Sequence, residues 1–90
     1  MESLSLREVP GRLAAYLLLL DERHGGTGQV ELDLAKGQLA SLLGTTPETL
    51  SRILTRLQRE GFLATAGRHG YRLLDRAALA ALAEGTRRLG

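Results

Sequence analysis

The sequence contains no cysteine and no tryptophan, and it has only one phenylalanine and two tyrosines. Without cysteine, the chain cannot form a disulfide framework, a thiolate zinc site or an iron–sulfur cluster, and we expect a cytoplasmic protein. The two histidines, His24 and His69, lie beside glycines, and no other metal-binding residues cluster around them. We therefore expect no metal and no other cofactor.

Long apolar runs are also missing. The longest run, residues 13–20, is far shorter than the stretch of about 20 residues that spans a bilayer, and no small-residue cleavage site follows it. We therefore expect neither a membrane span nor a secretory signal. The sequence also offers no nucleophile with a base, no paired carboxylates and no phosphate-binding glycine loop, so an enzyme is not expected.

Aliphatic residues dominate what is present, since 43% of the residues are hydrophobic and only 3% are aromatic. A core of leucine and alanine side chains favours helices over a β-sandwich. Ninety residues is also the size of one small core. We therefore predict a single domain over residues 1–90, mainly α with a small β-hairpin, in the α+β class.

The positive charge is concentrated in one part of the chain. The formal net charge is only +2, but residues 47–72 carry five arginines against two glutamates. These arginines are Arg52, Arg56, Arg59, Arg68 and Arg72. Because surface charges act over about 10 Å in salt, this region would attract phosphates only where it faces them.

Residues 5–24 have the apolar spacing of a helix, and glycines follow at its end. The predicted stripe consists of Leu6, Leu13, Leu17 and Leu20. Pro10 is expected in the first turn of the main helix or at a kink. Because residues 13–20 are apolar on all sides, we expect this helix to contact a surface beyond its own domain as well as the core.

Two further helices are predicted close together, one over residues 36–43 and one that begins at Pro47. Thr46 can cap the second helix, and Pro47 fits its first position without the loss of a hydrogen bond. The short joint needs a small residue where the two helices approach, a flexible residue at the turn, and apolar residues on the second helix that face the first. Ala40, Gly44, Leu50 and Ile53 meet these needs in that order. Their agreement predicts a helix-turn-helix over residues 36–60.

The remaining segments predict short strands and a last helix. Alternating apolar residues at 30, 32 and 34 indicate a strand. Residues 62–66 and 71–74, joined by the four residues 67–70, predict a hairpin that forms a wing over residues 62–74. Asp75 is expected to cap a final helix that docks through Leu79 and Leu82. The whole order predicts a winged helix-turn-helix.

The sequence resembles the CRP/FNR superfamily of bacterial transcription regulators over nearly its whole length. The similar segments are residues 11–14 (GRLA), 38–44 (QLASLLG), 47–54 (PETLSRIL), Leu57 and 61–63 (GFL). The resemblance implies a DNA-binding domain that follows a sensor domain, so the 90 residues would be a fragment lacking that N-terminal domain. Pro47 stands where cyclic-AMP-responsive members carry an arginine, which favours the FNR and nitric-oxide-responsive branches.

The resemblance also implies site residues and partners. Glu48, Ser51 and Arg52 match the family's base-reading positions, which implies a TTGAT-like half-site. Arg52 can donate two bonds to guanine, and Glu48 can accept one from cytosine. Candidate contacts to the DNA backbone are Thr46, Thr55, Arg56, Arg59, Arg68 and His69. The expected partners are double-stranded DNA with a palindromic operator, a second copy of the complete protein in a homodimer, and RNA polymerase.

Each site residue also has a simpler interpretation. Glu48 fits the first turn of any helix, where an acid complements the helix dipole. Arg52 and Arg56 have glutamates at helical spacing, and such ion pairs contribute about 0.3 to 0.5 kcal/mol. Arg68 and His69 fit an ordinary polar turn. The modest net charge and the apolar first helix leave a second hypothesis for function, a winged-helix module for protein–protein association.

Overall fold

The computed structural model describes residues 2–86, with side chains from Val9 onward. Its elements are α1 (Glu2–Arg23), β1 (Gln29–Glu31), α2 (Lys36–Leu43), α3 (Pro47–Arg59), β2 (Leu63–Ala66), β3 (Gly70–Leu73) and α4 (Arg76–Glu84). This order confirms the predicted winged helix-turn-helix, in which α2 and α3 are the helix-turn-helix and β2 and β3 the wing.

Helix α1 is longer than predicted. Pro10 lies in its interior, so the expectation of a first-turn proline is wrong. Leu13, Leu17 and Leu20 are buried as predicted, while the Leu6 side chain lies outside the described residues. Leu19 keeps 46% of its surface exposed, so part of the apolar run remains outside the core. No helix within residues 2–86 is both long and apolar enough to cross a membrane.

The three strands form one antiparallel sheet in the order β1-β3-β2. The sequence predicted β1 and the hairpin separately, and it gave no sign that β1 adds to the hairpin. Strand β1 ends at Glu31, although Leu32 and Leu34 still pack partly against the core. The hairpin loop has three residues, 67–69, rather than four, because Gly70 already pairs with Ala66.

Gly70 lies on the middle strand of the sheet and pairs with both neighbouring strands. Its register partners are Glu31 on β1 and Ala66 on β2. A Cβ atom at this position would collide with the carbonyl oxygen of Ala66 and lie 3.1 Å from that of Val30. A residue without a side chain is therefore required in the middle of this sheet.

Helices α1 and α4 pack against each other, and every element contributes aliphatic side chains to the core. Gly11 permits a close approach, because a Cβ atom there would lie 2.7 Å from the carbonyl oxygen of Leu82. The Oδ1 atom of Asp75 accepts a hydrogen bond from the Ala78 amide at 2.9 Å, which confirms the predicted cap of α4. Leu79 and Leu82 are buried as predicted.

A buried carboxylate that the sequence analysis missed ties the end of α1 to α4. Asp21 is 4% exposed. It accepts a hydrogen bond from the Gly28 amide at 2.7 Å, and it forms an ion pair with Arg76 at 2.8 Å. Arg76 also donates to the carbonyl oxygen of Gly26 at 2.6 Å. These bonds satisfy the buried charge and hold the glycine loop between α1 and β1 in place.

Candidate nucleic-acid interface

The start and the end of α3 follow from local sequence signals. The Oγ1 atom of Thr46 accepts a hydrogen bond from the Thr49 amide at 3.2 Å, and Pro47 occupies the first turn. The Thr46 hydroxyl also donates to Oγ1 of Thr49 at 3.1 Å. After Arg59 the chain turns away at Gly61, whose φ of 84° lies in the left-handed region. The predicted cap and stop of this helix are confirmed.

Helix α3 has one apolar face and one polar face. Leu50, Leu54 and Leu57 are buried, and Ile53 packs partly against the core, as predicted. The opposite face carries the residues predicted to read bases together with predicted backbone contacts: Glu48, Ser51, Arg52, Thr55 and Arg59. All of these are exposed except Ser51, which is half-buried. The helix therefore presents a polar row at helical spacing to solvent.

The turn between α2 and α3 depends on Gly44, whose φ of 79° is left-handed. The amide of Thr45 donates to the carbonyl oxygen of Ala40 at 2.8 Å and closes the last turn of α2. Ala40 is fully buried, as the tight joint requires. The predicted roles of Ala40 and Gly44 are confirmed, and the turn sets the direction in which α3 leaves α2.

Two side chains of α1 contact the segment that carries α2, and sequence reasoning assigned a role to neither. Nη1 of Arg12 donates to the carbonyl oxygen of Leu43 at 3.1 Å, at the C-terminal end of α2. The hydroxyl of Tyr16 donates to Oδ1 of Asp33 at 2.5 Å, just before α2 begins. Burial and this hydrogen bond raise the pKa of Tyr16 to about 12, and the same bond lowers the pKa of Asp33.

Glu48 and Arg52 form an ion pair across one turn of α3. Nη2 of Arg52 lies 3.7 Å from Oε2 of Glu48, and the side chains of Arg52 and Glu48 are 77% and 81% exposed. The pairing considered from the sequence therefore exists. An exposed pair at this distance contributes little stability, so both groups remain available to a ligand.

Arg56 and Arg59 differ in their surroundings. Nε of Arg56 lies 2.8 Å from Oε2 of Glu60 in a hydrogen-bonded ion pair. Within the described residues, no carboxylate pairs with Arg59. Glu60 thus partly neutralises the guanidinium of Arg56, whereas the guanidinium of Arg59 faces solvent as a full positive charge.

The polar face of α3 also has a shallow concave region. An open depression of about 350 Å³ is lined by Ser51, Arg52, Thr55, Arg56 and Arg59. The structure therefore brings five of the predicted site residues together. Guanidinium and hydroxyl groups around one depression suit phosphate oxygens, which such groups contact in protein–DNA complexes.

Two further predicted site residues lie on the wing. Arg68 and His69 are exposed at its tip, next to Gly67, whose φ of 74° is left-handed. Arg72 alternates with the buried side chains of β3 and is therefore exposed on the outer side of the sheet. No group of three histidine, aspartate or glutamate side chains comes together in the part of the chain that the structure describes.

Comparison with protein families matches residues 11–82 to the Crp-like helix-turn-helix domain. The chain belongs to the Crp-like helix-turn-helix family. The matched part of this Crp-like domain includes α2, α3 and the wing. Membership confirms the prediction of a DNA-binding helix-turn-helix domain of the CRP/FNR kind, and the relatives are regulators rather than enzymes, as expected.

Two curated proteins illustrate the relationship. The Crp-like chain is similar to the fumarate and nitrate reduction regulatory protein of Salmonella typhimurium, with 38% identity over 88 residues. It is also similar to the transcriptional activator protein FnrA of Stutzerimonas stutzeri, with 35% identity over 86 residues. These matches cover 93% and 91% of this chain but only 35% of either relative. The chain thus spans about a third of the length of these relatives.

Solved structures show the same relationship. DNR from Pseudomonas aeruginosa matches with a TM-score of 0.76 and 39% identity, over 90% of this chain and 36% of that one. The catabolite activator protein of Thermus thermophilus matches with a TM-score of 0.69 and 32% identity, over 96% of this chain and 38% of that one. These neighbours confirm the winged-helix fold of the CRP/FNR kind.

Proposed function

We propose that this domain reads DNA sequence for a bacterial transcription regulator, with α3 inserted in the major groove. One observation carries the proposal: Glu48, Ser51 and Arg52 stand on the polar face of α3, within its first two turns. In helix-turn-helix proteins the N-terminal residues of the second helix contact base edges. The similarity to a protein named as a transcriptional activator supports a role in regulation.

The chemistry of the Glu48–Arg52 pair supports recognition of a G·C base pair. In the major groove, guanine presents two acceptors, O6 and N7, and its cytosine partner presents an amino donor. The guanidinium of Arg52 can bond the guanine while the carboxylate of Glu48 accepts from the cytosine. A TTGAT half-site contains one G·C pair, so we assign these two residues to that pair and Ser51 to a neighbouring base.

The remaining site residues are assigned to the phosphate backbone. Thr55, Arg56 and Arg59 lie beside the base-reading row, and three of the depression's side chains carry positive charge. Thr46 lies at the start of α3, where its hydroxyl could exchange its bond to Thr49 for one to a phosphate. Arg68 and His69 would reach the backbone from the wing. Contacts of this kind position a protein but do not read sequence.

A palindromic operator follows if two copies bind together. A two-fold dimer presents two recognition helices to half-sites about one helical turn apart. We propose that the complete protein binds in this way, and that it acts on RNA polymerase as a further partner. The exposed apolar surface at Leu19 on α1 supports an additional contact outside the domain.

Binding to two matched duplexes tests the proposed function. One duplex carries two inverted TTGAT half-sites about one helical turn apart, and the other has the same composition in scrambled order. Fluorescence anisotropy over a series of salt concentrations should show at least about tenfold tighter binding to the first duplex. Equal affinity for the two duplexes at every salt concentration would contradict sequence reading.

The exposed leucines also support a second candidate function, protein association. Leu42 on α2 is 62% exposed and Leu19 on α1 is 46% exposed, so both side chains are accessible to the apolar surface of a partner. This candidate predicts an oligomer or a partner complex that does not depend on DNA. Light scattering with and without the duplex separates the two, because association through leucines should be insensitive to the loss of Arg52 or Arg59.

A further inference from the structure

Helix α1 holds the α2 segment at both of its ends. Arg12 bonds the carbonyl oxygen of Leu43, the last residue of α2, at 3.1 Å. Tyr16 bonds Asp33 in the linker that leads into α2, at 2.5 Å. Residues four apart lie on the same face of a helix, so both bonds come from one side of α1, one turn apart.

Helix α2 has few means of fixing its own position. It has only eight residues, and a helix of that length is marginal without tertiary contacts. Its N-cap residue is Ala35, which has no side-chain oxygen to bond the free amides of the first turn, and the side-chain bond at this end is a long one, from the Ala35 amide to Oε1 of Gln38 at 3.3 Å. Leu39, Ala40 and Leu43 bury one face, but Leu42 is largely exposed. The bonds from α1 therefore add directional contacts to a small apolar contact.

The orientation of α2 passes directly to the base-reading residues. Only residues 44–46 separate α2 from α3. Gly44 is packed against the same guanidinium, since a Cβ atom there would lie 3.2 Å from Nη1 of Arg12. Hydrogen bonds to base edges need positions accurate to about 0.5 Å, so a small rotation of α2 on α1 would displace Glu48 and Arg52 from their bases.

We propose that Arg12 and Tyr16 form a two-point clamp that orients the helix-turn-helix on α1 and thereby sets sequence specificity. Both are positioning residues, and the proposal concerns their bonds to the α2 segment. It rests on the proposed function for its effect on DNA reading. Loss of either bond should weaken binding to the cognate duplex more than binding to scrambled DNA, because phosphate contacts tolerate small changes in orientation better than base contacts do.

Tyr16→Phe is the central variant, because it removes one hydroxyl and leaves both the ring and the net charge unchanged. Its ratio of cognate to scrambled affinity should fall by about twofold to tenfold, the range that corresponds to the small net contribution of one exposed hydrogen bond. The slope of affinity against salt should not change. Tyr71→Phe is the matched control, since Tyr71 lies in β3 and forms no bond to the α2 segment; its ratio should equal that of the parent chain.

Variants of Asp33 test whether the bond itself is responsible. Asp33→Asn keeps an oxygen that can accept from Tyr16 and should keep most of the specificity. Asp33→Ala should behave like Tyr16→Phe, and the double variant should lose no more than either single variant, because both remove the same interaction. Arg12→Lys keeps the charge but changes the geometry at Leu43, and it should also lower the ratio.

Hydrogen exchange in the absence of DNA separates the clamp from the proposed function. The amides of residues 39–43 should exchange faster in Tyr16→Phe than in the parent chain, while those of α4 should not change. If the parent chain shows no preference for the TTGAT duplex, the function fails, and exchange still tests the clamp. The clamp would be overturned if Tyr16→Phe changed neither the exchange rates of residues 39–43 nor the ratio of cognate to scrambled affinity. It would also be overturned if the variant lowered the melting temperature and weakened binding to both duplexes by the same factor.

Discussion

Oε2 of Glu48 lies 3.7 Å from Nη2 of Arg52 on the exposed face of α3, so an acceptor and a donor of opposite charge stand side by side. A G·C base pair presents the complementary arrangement, with acceptors on guanine and a donor on cytosine. The exposure of both side chains means that little must be broken when DNA replaces water around them. The pair therefore suits the recognition of one base pair.

Loss of the arginine at the wing tip should weaken binding without a change in specificity. Arg68→Ala removes one phosphate contact, so the affinity for cognate and scrambled duplexes should fall by the same factor. The salt slope should decrease by about 0.9. Arg72→Ala is the control, since Arg72 is an exposed arginine of the same hairpin to which no DNA contact is assigned, and it should leave the slope unchanged. A greater loss on the cognate duplex than on scrambled DNA would show that Arg68 reads sequence.

Release of Arg56 from its ion pair should strengthen binding. Glu60→Gln removes the carboxylate that holds Nε of Arg56 at 2.8 Å and frees the guanidinium for a phosphate. We expect severalfold tighter binding to both duplexes and a salt slope larger by about 0.9. Glu31→Gln on β1 removes the same charge elsewhere and should leave the slope unchanged. Identical slopes for the two variants would mean that Arg56 does not approach the backbone.

A methyl group at the turn should destabilise the domain. Gly44→Ala forces an alanine into a φ of 79° beside the guanidinium of Arg12, and we expect a loss of about 1 to 2 kcal/mol in the free energy of unfolding. Gly37→Ala is the matched control within α2, where a Cβ atom would meet nothing within 4 Å. It should stabilise the domain by about 0.5 kcal/mol. Urea unfolding measures both, and equal stabilities would contradict the assigned role of the turn.

Alkaline titration should reveal the bond between Tyr16 and Asp33. Burial, and after it the hydrogen bond to Asp33, raises the pKa of Tyr16 from 10.0 to about 12. A folded pKa above the unfolded value gives stability that is complete below pH 10 and is lost as the pH rises towards 12. In Tyr71→Phe, Tyr16 is the one remaining tyrosine, so tyrosinate absorbance should develop at a higher pH than it does for a free tyrosine. Adding Asp33→Ala should lower this midpoint, and an unchanged midpoint would show that the bond does not matter.

Local patterns were sufficient to predict the helices that carry the site. The Thr46–Pro47 start, the leucine spacing of α3 and the glycine after α2 each act over a few residues, so the sequence displays them directly. The same spacing placed Glu48, Ser51 and Arg52 on one face, and their role as base readers stays a prediction. The alternation of apolar and polar residues in β3 also predicts that Arg72 faces outward. The count of positive charges over residues 47–72 did not take this direction into account.

Contacts between distant residues could not be predicted in this way. Asp21 bonds Arg76, and Tyr16 bonds Asp33 across 17 positions. The bond from Arg12 to Leu43 spans 31 positions and ends on a backbone oxygen, which no residue type reveals. The pairing of β1 with β3 likewise depends on how the whole chain folds. Local propensity gives no information on such pairs, because only the tertiary fold brings them together.

The most direct test of the central claim combines one residue change with one base-pair change. The affinities of the parent chain and of Arg52→Ala are measured on the TTGAT duplex and on a duplex in which each G·C pair is replaced by A·T. The parent chain should lose about 1 to 3 kcal/mol of binding free energy for each replaced pair, whereas Arg52→Ala should lose clearly less, because only Glu48 still contacts that pair. The claim that Arg52 reads this base pair would be contradicted if the variant discriminated between the duplexes as well as the parent chain does.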